Sequence, residues 1–452
     1  MEENKMGIMG IKRLLLTMSF PIMISMLVQA LYNIVDSMFI ARVSEDALAA
    51  VSLCYPIQMI MVAVACGTGV GVNALLSRYL GQRKQKEANK VAIHGLFTAI
   101  CNWMVFAVIG LFFSNAFLHL FSDDAQIVDM GINYMQICTI FSFGVFVQIT
   151  YERIMQSTGN TIYNMIIQGV GALVNIILDP IFIFGMFGLP AMGVAGAAIA
   201  TVVGQIIAMI LGIIITQKKV QEIQLHIRDF HIDTMILRSM YRIGIPAILM
   251  QSIMSFMTVM MNMILVSFSE TAVSVFSIYY KLQQFVFMAV LGMNNALIPI
   301  LSYNYGAGKR ERIKETIRFA LLVACVIMVT GTFIFQLFPT QLLYLFDAKE
   351  NMLTIGIPAL RIISLSFLSA GISMVLCSTF QALGSPNHSL LITLLRQMVL
   401  LLPLAYLFSS TFGLNMCWWA FLITETLCAL LSLFFLKTIH NKVLCSSLTE
   451  HG

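Results

Sequence analysis

NIILDPIFIF, residues 175–184, is apolar or proline at eight of its ten positions, yet it carries Asn175 and Asp179 four residues apart. That spacing puts both on one helix face. Pro180 follows the acid directly. The stretch lies within the apolar run 162–185, and a bilayer is crossed by about 20 such residues. Similar runs recur near 18–42, 48–76, 92–114, 128–156, 193–216, 238–267, 273–301, 316–338, 352–382, 388–408 and 413–437. The runs 128–156 and 352–382 are overlong, which predicts tilt or extension past the lipid. No strand-like alternation competes. The expected fold class is all-α and integral to a membrane, with about twelve transmembrane helices.

Composition agrees. The 452 residues are 59% hydrophobic and 10% charged, against about 25% charged in a soluble domain. Such a chain cannot cover itself with water-facing groups. With twelve spans, Lys5, Lys12, Arg13, Arg78, Arg83, Lys84, Lys86, Lys90, Lys218, Lys219, Arg228, Lys309, Arg310, Arg312, Lys314, Arg318, Lys437 and Lys442 fall on one side. The other side has Arg42 and Lys349 among Glu45, Asp46, Asp123, Asp124, Glu270, Asp347 and Glu350. The positive-inside rule places both termini in the cytoplasm of a multi-pass inner or plasma membrane protein. The loops account for the net charge of +5, so no nucleic-acid partner is expected. The apolar start runs directly into a span with no cleavage site, unlike a removable signal. The nine cysteines include no CxxC pair and read as small apolar fillers.

A self-match at one offset organises the chain. Pro21 pairs with Pro246, and 246 − 21 = 225. The same offset pairs Ser44-Glu45 with Ser269-Glu270, Tyr55 with Tyr280, Gln58 with Gln283, Gly67 with Gly292 and Gly81 with Gly306. It also pairs Gln156 with Gln381 and Phe187-Gly188-Leu189 with Phe412-Gly413-Leu414. Six helices per copy give a parallel repeat, a plan of secondary transporters. The expected organisation is a six-helix bundle over 1–216, a polar cytoplasmic linker over 217–234 and a second bundle over 235–452.

The acids break the repeat. Asp36 falls on Met261, Asn175 on Leu400 and Asp179 on Leu404. Both acids lie about 9 Å below the outer end of their helices at 1.5 Å per residue. Gln29, Asn33 and Asp36 form one polar stripe, with Tyr32 beside it; Gln168, Asn175 and Asp179 form a second, and Thr201 and Gln205 a third. A carboxylate at that depth needs a partner, a proton or a cavity. Pro180 has no N–H, so the Ile176 carbonyl loses its helical donor. That proline reads either as a plain kink or as part of an oxygen-rich site for a proton or hard cation.

The stretches SFPIMISMLVQALYNIVDSMFIA (19–41), NIILDPIFIFG (175–185), MGVAGAAIAT (192–201), GIPAILM (244–250) and LITETLCALL (422–431) resemble the multidrug and toxin extrusion (MATE) family, and more closely its MepA-like bacterial branch. The resemblance spans essentially the whole chain. It implies a two-lobe antiporter driven by Na⁺ or H⁺ that exports lipophilic, often cationic compounds. It also implies a coupling-ion site, Na⁺ included, at Asp36, Asn175, Asp179 and Thr201, with the backbone of Ala197. The NorM-like branch has acids in the seventh and tenth helices; here the seventh offers Gln251, Ser255, Thr258 and Asn262. No cofactor is implied, and a monomer is expected.

Lys281, Arg396 and Glu425 fall within three second-half spans and are expected to meet, as a structural clamp or a substrate site. Glu152 and Arg153 read as interfacial or as lining the cleft. With Gln29, Tyr32, Asn33, Gln168, Gln205, Gln251, Ser255 and Asn262, Glu152 and the three second-half charges are the candidates for the substrate cleft. A lipid-linked precursor flippase of the related superfamily is the alternative, though it would be expected to show a cationic cleft. The Asp-Arg-Gly-rich loop of major facilitators is missing; RYLGQRKQKEANK stands there. An enzyme is not expected: no HExxH motif and no nucleophile with a base lies in the spans.

Overall fold

The computed structural model describes residues 4–225, 230–346 and 348–439. Arg228, Asp347 and Lys442, named above, lie outside the described residues, as does Cys445. A short helix α1 (Lys5–Ile8) precedes α2 (Ile11–Ala41), α3 (Glu45–Gly81) and α4 (Gln85–His119). The half continues through α5 (Ala125–Ile140), α6 (Phe143–Ser157), α7 (Thr161–Phe184) and α8 (Gly193–Lys219). The second half holds α9 (Thr234–Val266), α10 (Glu270–Gly306), α11 (Arg310–Leu337), α12 (Pro339–Tyr344), α13 (Glu350–Ser364) and α14 (Phe367–Ala382). It ends with α15 (Pro386–Leu394), a π turn (Leu395–Val399), α16 (Leu401–Phe412), α17 (Leu414–Cys417) and α18 (Trp419–Ile439). No strand occurs among the described residues. Ten helical stretches are long and apolar enough to cross a membrane, and two bent pairs bring the number to twelve. The protein is an all-α, multi-pass membrane protein.

The bent pairs revise the reading of the two overlong runs. α5 and α6 meet at 43°, and α13 and α14 at 48°. A serine sits at each break. Ser142 Oγ donates to Thr139 O and Ser366 Oγ donates to Ile363 O, both at 2.7 Å. Each hydroxyl joins its own backbone N–H on the same carbonyl, a local turn that favours a bend over tilt.

Other repeated residues also have structural work. Ser44 Oγ accepts from Ala47 N at 2.9 Å, and Ser269 Oγ from Ala272 N at 3.0 Å. Each caps a helix whose first residue is an acid, Glu45 or Glu270, placed at the positive end of the helix dipole. The glycines let the halves approach. A Cβ on Gly67 would meet Ile248, and one on Gly292 would meet Met23. A Cβ on Gly81 would meet the Tyr303 carbonyl, and one on Gly306 the Arg78 carbonyl. These contacts are reciprocal under the repeat, since 248 − 23 = 225 and 303 − 78 = 225. They close the end of the molecule that carries the basic loops. Arg78 adds a cation–π contact with Tyr305 across the same seam, 4.3 Å from the ring centre.

Candidate functional site

α2, α7 and α8 carry the first-half site. Asp179 and Ala197 are fully buried, and Asn175 nearly so. With its amide oxygen turned toward α8, Asn175 accepts from both Thr201 N and Thr201 Oγ1 at 3.2 Å. Its nitrogen then donates to Asp179 Oδ2 at 3.2 Å. From α2, the half-buried Asp36 brings its carboxyl up to that of Asp179, close enough for the two groups to interact. Asp36 Oδ1 is buried and has no hydrogen-bond partner. Ala197 lies one turn before Thr201 on α8. The three helices thus bring together two acids, one amide and one hydroxyl, oxygen chemistry suited to a hard cation or a proton.

Tyr32, one turn before Asp36, stands within electrostatic reach of both acids. Tyr134 and Cys138 from α5 surround the same place. Gln58 of α3 donates to Tyr134 Oη at 3.2 Å and to Cys138 Sγ at 3.7 Å. Sequence reasoning did not assign Gln58, Tyr134 or Cys138 to this site. Their one available signal is that Gln58 recurs as Gln283.

Other candidates are redistributed. Gln168 was expected to share a stripe with Asn175 and Asp179, but it donates to Glu152 Oε2 at 2.9 Å. Seven residues of helix separate Gln168 from Asn175, about 10 Å. Glu152 is neither interfacial nor open. It is buried and also accepts from Gln148 at 3.0 Å. Arg153 reaches Gln156 at 2.9 Å and crosses to Asn295 of the second half at 3.2 Å. Gln29, Asn33, Gln251 and Ser255 are exposed, while Gln205 and Asn262 are half-buried.

The expected meeting of Lys281, Arg396 and Glu425 is corrected. Arg396 Nε donates to Glu425 Oε1 at 2.7 Å, with the side chains 13% and 12% exposed. Lys281 is exposed and faces the Phe346 ring, 6.0 Å from its centre. Depth along a helix does not set direction around it, and Lys281 points away from the pair. Arg396 lies in the π turn, which supplies one extra residue ahead of Pro403.

The MatE family model matches residues 21–181 and again 246–407. The chain belongs to the MATE family. The two matches begin 225 residues apart (246 − 21 = 225), the offset of the internal repeat. This MATE chain is 26% identical over 428 residues to multidrug export protein MepA of Staphylococcus haemolyticus (strain JCSC1435), covering 94% of this chain and 93% of that one. Its fold matches the outward-facing conformation of a multidrug resistance MATE family transporter of the MOP superfamily, with TM-score 0.91, 25% identity and 99% of each chain covered. It also matches a MOP superfamily transporter from Pyrococcus furiosus, with TM-score 0.91, 25% identity, and 98% and 99% of the two chains covered.

Proposed function

We propose that this MATE-family transporter is a cation-coupled antiporter that exports lipophilic, often cationic compounds by alternating access. Asp36, Asn175, Asp179 and Thr201 form its coupling site for Na⁺ or H⁺. The observation that carries the reading is the contact of two carboxyls in a buried site with no fixed positive partner beside them. A carboxylate has no donor, so that contact needs a proton between the groups or a cation in its place. Charged and empty, the acids repel and are poorly solvated. Occupancy therefore favours their close arrangement, and emptying the site favours their separation.

Asn175 fixes Asp179 to α8, and Asp36 belongs to α2, so the separation moves α2 against α7 and α8. A ligand shifts such an equilibrium only through its different affinities for the two states. Exchange follows if substrate favours the ionised site and the coupling cation favours its release. The multidrug export named for the Staphylococcus relative supports lipophilic cargo. Both termini lie in the cytoplasm of a bacterial cell membrane under this reading, because the basic loops share one side. The test is efflux of a fluorescent lipophilic cation from proteoliposomes, with Na⁺ and pH gradients imposed separately. One of the two gradients drives efflux by the wild type, and Asp36→Asn or Asp179→Asn abolishes it at matched protein levels. Wild-type efflux by both variants under either gradient overturns the proposal.

A further inference from the structure

The end that carries the basic loops is closed by more than helix packing. Residues 4–9, ahead of the first span, run across the seam between the halves. Their head is fixed to the first half. Asn4 Nδ2 donates to Thr158 O at 3.1 Å and to Glu222 Oε1 at 2.5 Å. Asn4 Oδ1 accepts from Met6 N at 2.8 Å and so starts α1. The Lys5 stem lies over Gly159, where a Cβ would come within 2.7 Å of Lys5 Cε. That turn has φ +85°, so both the space and the backbone suit glycine. Burial lowers the Lys5 ammonium and raises the Glu222 carboxyl from their usual ranges, and the attraction between them opposes both changes.

The tail of the segment is fixed to the second half. Met6 is fully buried in a core drawn mostly from the second half, with Leu14, Leu15 and Met18 of the first. Its carbonyl accepts from Asn304 Nδ2 and from Arg312 Nη2, each at 3.1 Å. Gly7 O accepts from Lys309 Nζ at 2.9 Å, and Met9 O from Arg312 Nη2 at 2.7 Å. Arg312 Nε is itself held by Asn304 Oδ1 at 3.1 Å. Three of these four bonds to strap carbonyls come from charged donors, the stronger kind. The segment continues into α2 through Gly10, so it is tied covalently to the first half and by hydrogen bonds to the second.

We propose that residues 4–9 are a latch that holds the basic-loop end shut, and that alternating access requires Arg312 and Lys309 to let go of its carbonyls. The latch rests on the alternating-access reading and adds to it a specific brake. A helical strap that only decorated the surface would not bury Met6 between the halves or spend two cations of the second half on carbonyls of the first. Because the strap is joined to the first half through Gly10 and α2, the bonds from Arg312 and Lys309 are its releasable hold on the second half, and Asn4 only steadies its head.

The test uses the full chain, freed of cysteines and placed in lipid nanodiscs, with spin labels at Gln82→Cys and Glu311→Cys. Both positions are exposed, one on each side of the seam. Pulsed electron resonance gives the distribution of separations with and without substrate. The wild type shows a short and a long population. Arg312→Gln and Lys309→Gln each raise the long population severalfold. If Arg312→Gln does not fold, Lys309→Gln, which removes the bond to Gly7 O, decides the matter alone. A wild type that opens while the variants keep its distribution overturns the latch and leaves alternating access standing, even if the variants are less stable. A single short separation under every condition overturns both the latch and alternating access.

Discussion

In the first half, Asn175 of α7 meets Thr201 of α8 and turns its amide to Asp179. In the second half, the matching seam lies between the π turn and α18, and there Arg396 holds Glu425. The positions are related by the repeat: 425 − 225 = 200, beside Thr201, and 396 − 225 = 171, two turns before Asp179. Where the first half places acids without a fixed cation, the second supplies its own. Met261 stands at the position of Asp36 and is fully buried in an apolar core. Duplication therefore kept the caps, the bends and the glycine contacts. The charges were distributed anew. On this comparison the second half is neutralised internally, and the first leaves its acids without a fixed cation, the place the proposed coupling ion would take.

The largest expected difference is in transport. Asp179→Asn abolishes gradient-driven efflux, while Met261→Leu, which conserves volume at the position matching Asp36, leaves it near wild type. Efflux assays at equal reconstituted protein levels check this, and equal loss in both variants removes the contrast between the halves.

The second effect is on stability. Arg396→Met alone leaves Glu425 buried without its partner, and breaking such a pair costs about 3–5 kcal/mol. Arg396→Met with Glu425→Gln recovers most of that loss. Thermal unfolding in detergent reads both; additive losses in the double variant argue against the direct pair seen here.

The smallest effect tests sameness. Ser44→Ala and Ser269→Ala each cost about 1 kcal/mol, because each removes one N-cap of the same geometry. Melting shifts that differ greatly between the two would show that the caps are equivalent in shape but not in energy.

Much of this architecture is readable before any coordinates. Spans are read from apolar length, and the repeat from Pro21, Gly67 and Gly81 recurring in one register. Gly67 and Gly81 recur because they meet the opposite half. The bends at Ser142 and Ser366 are not visible in the same way, since one serine interrupts neither apolar run. Residue depth was legible for Asp36, Asp179 and Thr201. Direction around the helix was not, which is why Lys281 was wrongly grouped with Glu425; Gln168 shares a face with Asn175 but lies about 10 Å along the helix and meets Glu152. Tyr134 and Cys138 carry no charge and match no stripe, so only packing of α5 against α3 reveals them beside Asp36.

The central claim is that the coupling ion binds between Asp36 and Asp179 and nowhere equivalent in the second half. Equilibrium binding to the purified protein tests it most directly, with radiolabelled Na⁺ uptake and proton release followed in the same samples. The account predicts saturable Na⁺ binding, or a titrating proton in its place, in the wild type and in Arg396→Met/Glu425→Gln, and its loss in Asp36→Asn and in Asp179→Asn. Wild-type binding in both Asn variants, or its loss only when Arg396 and Glu425 are replaced, would contradict it.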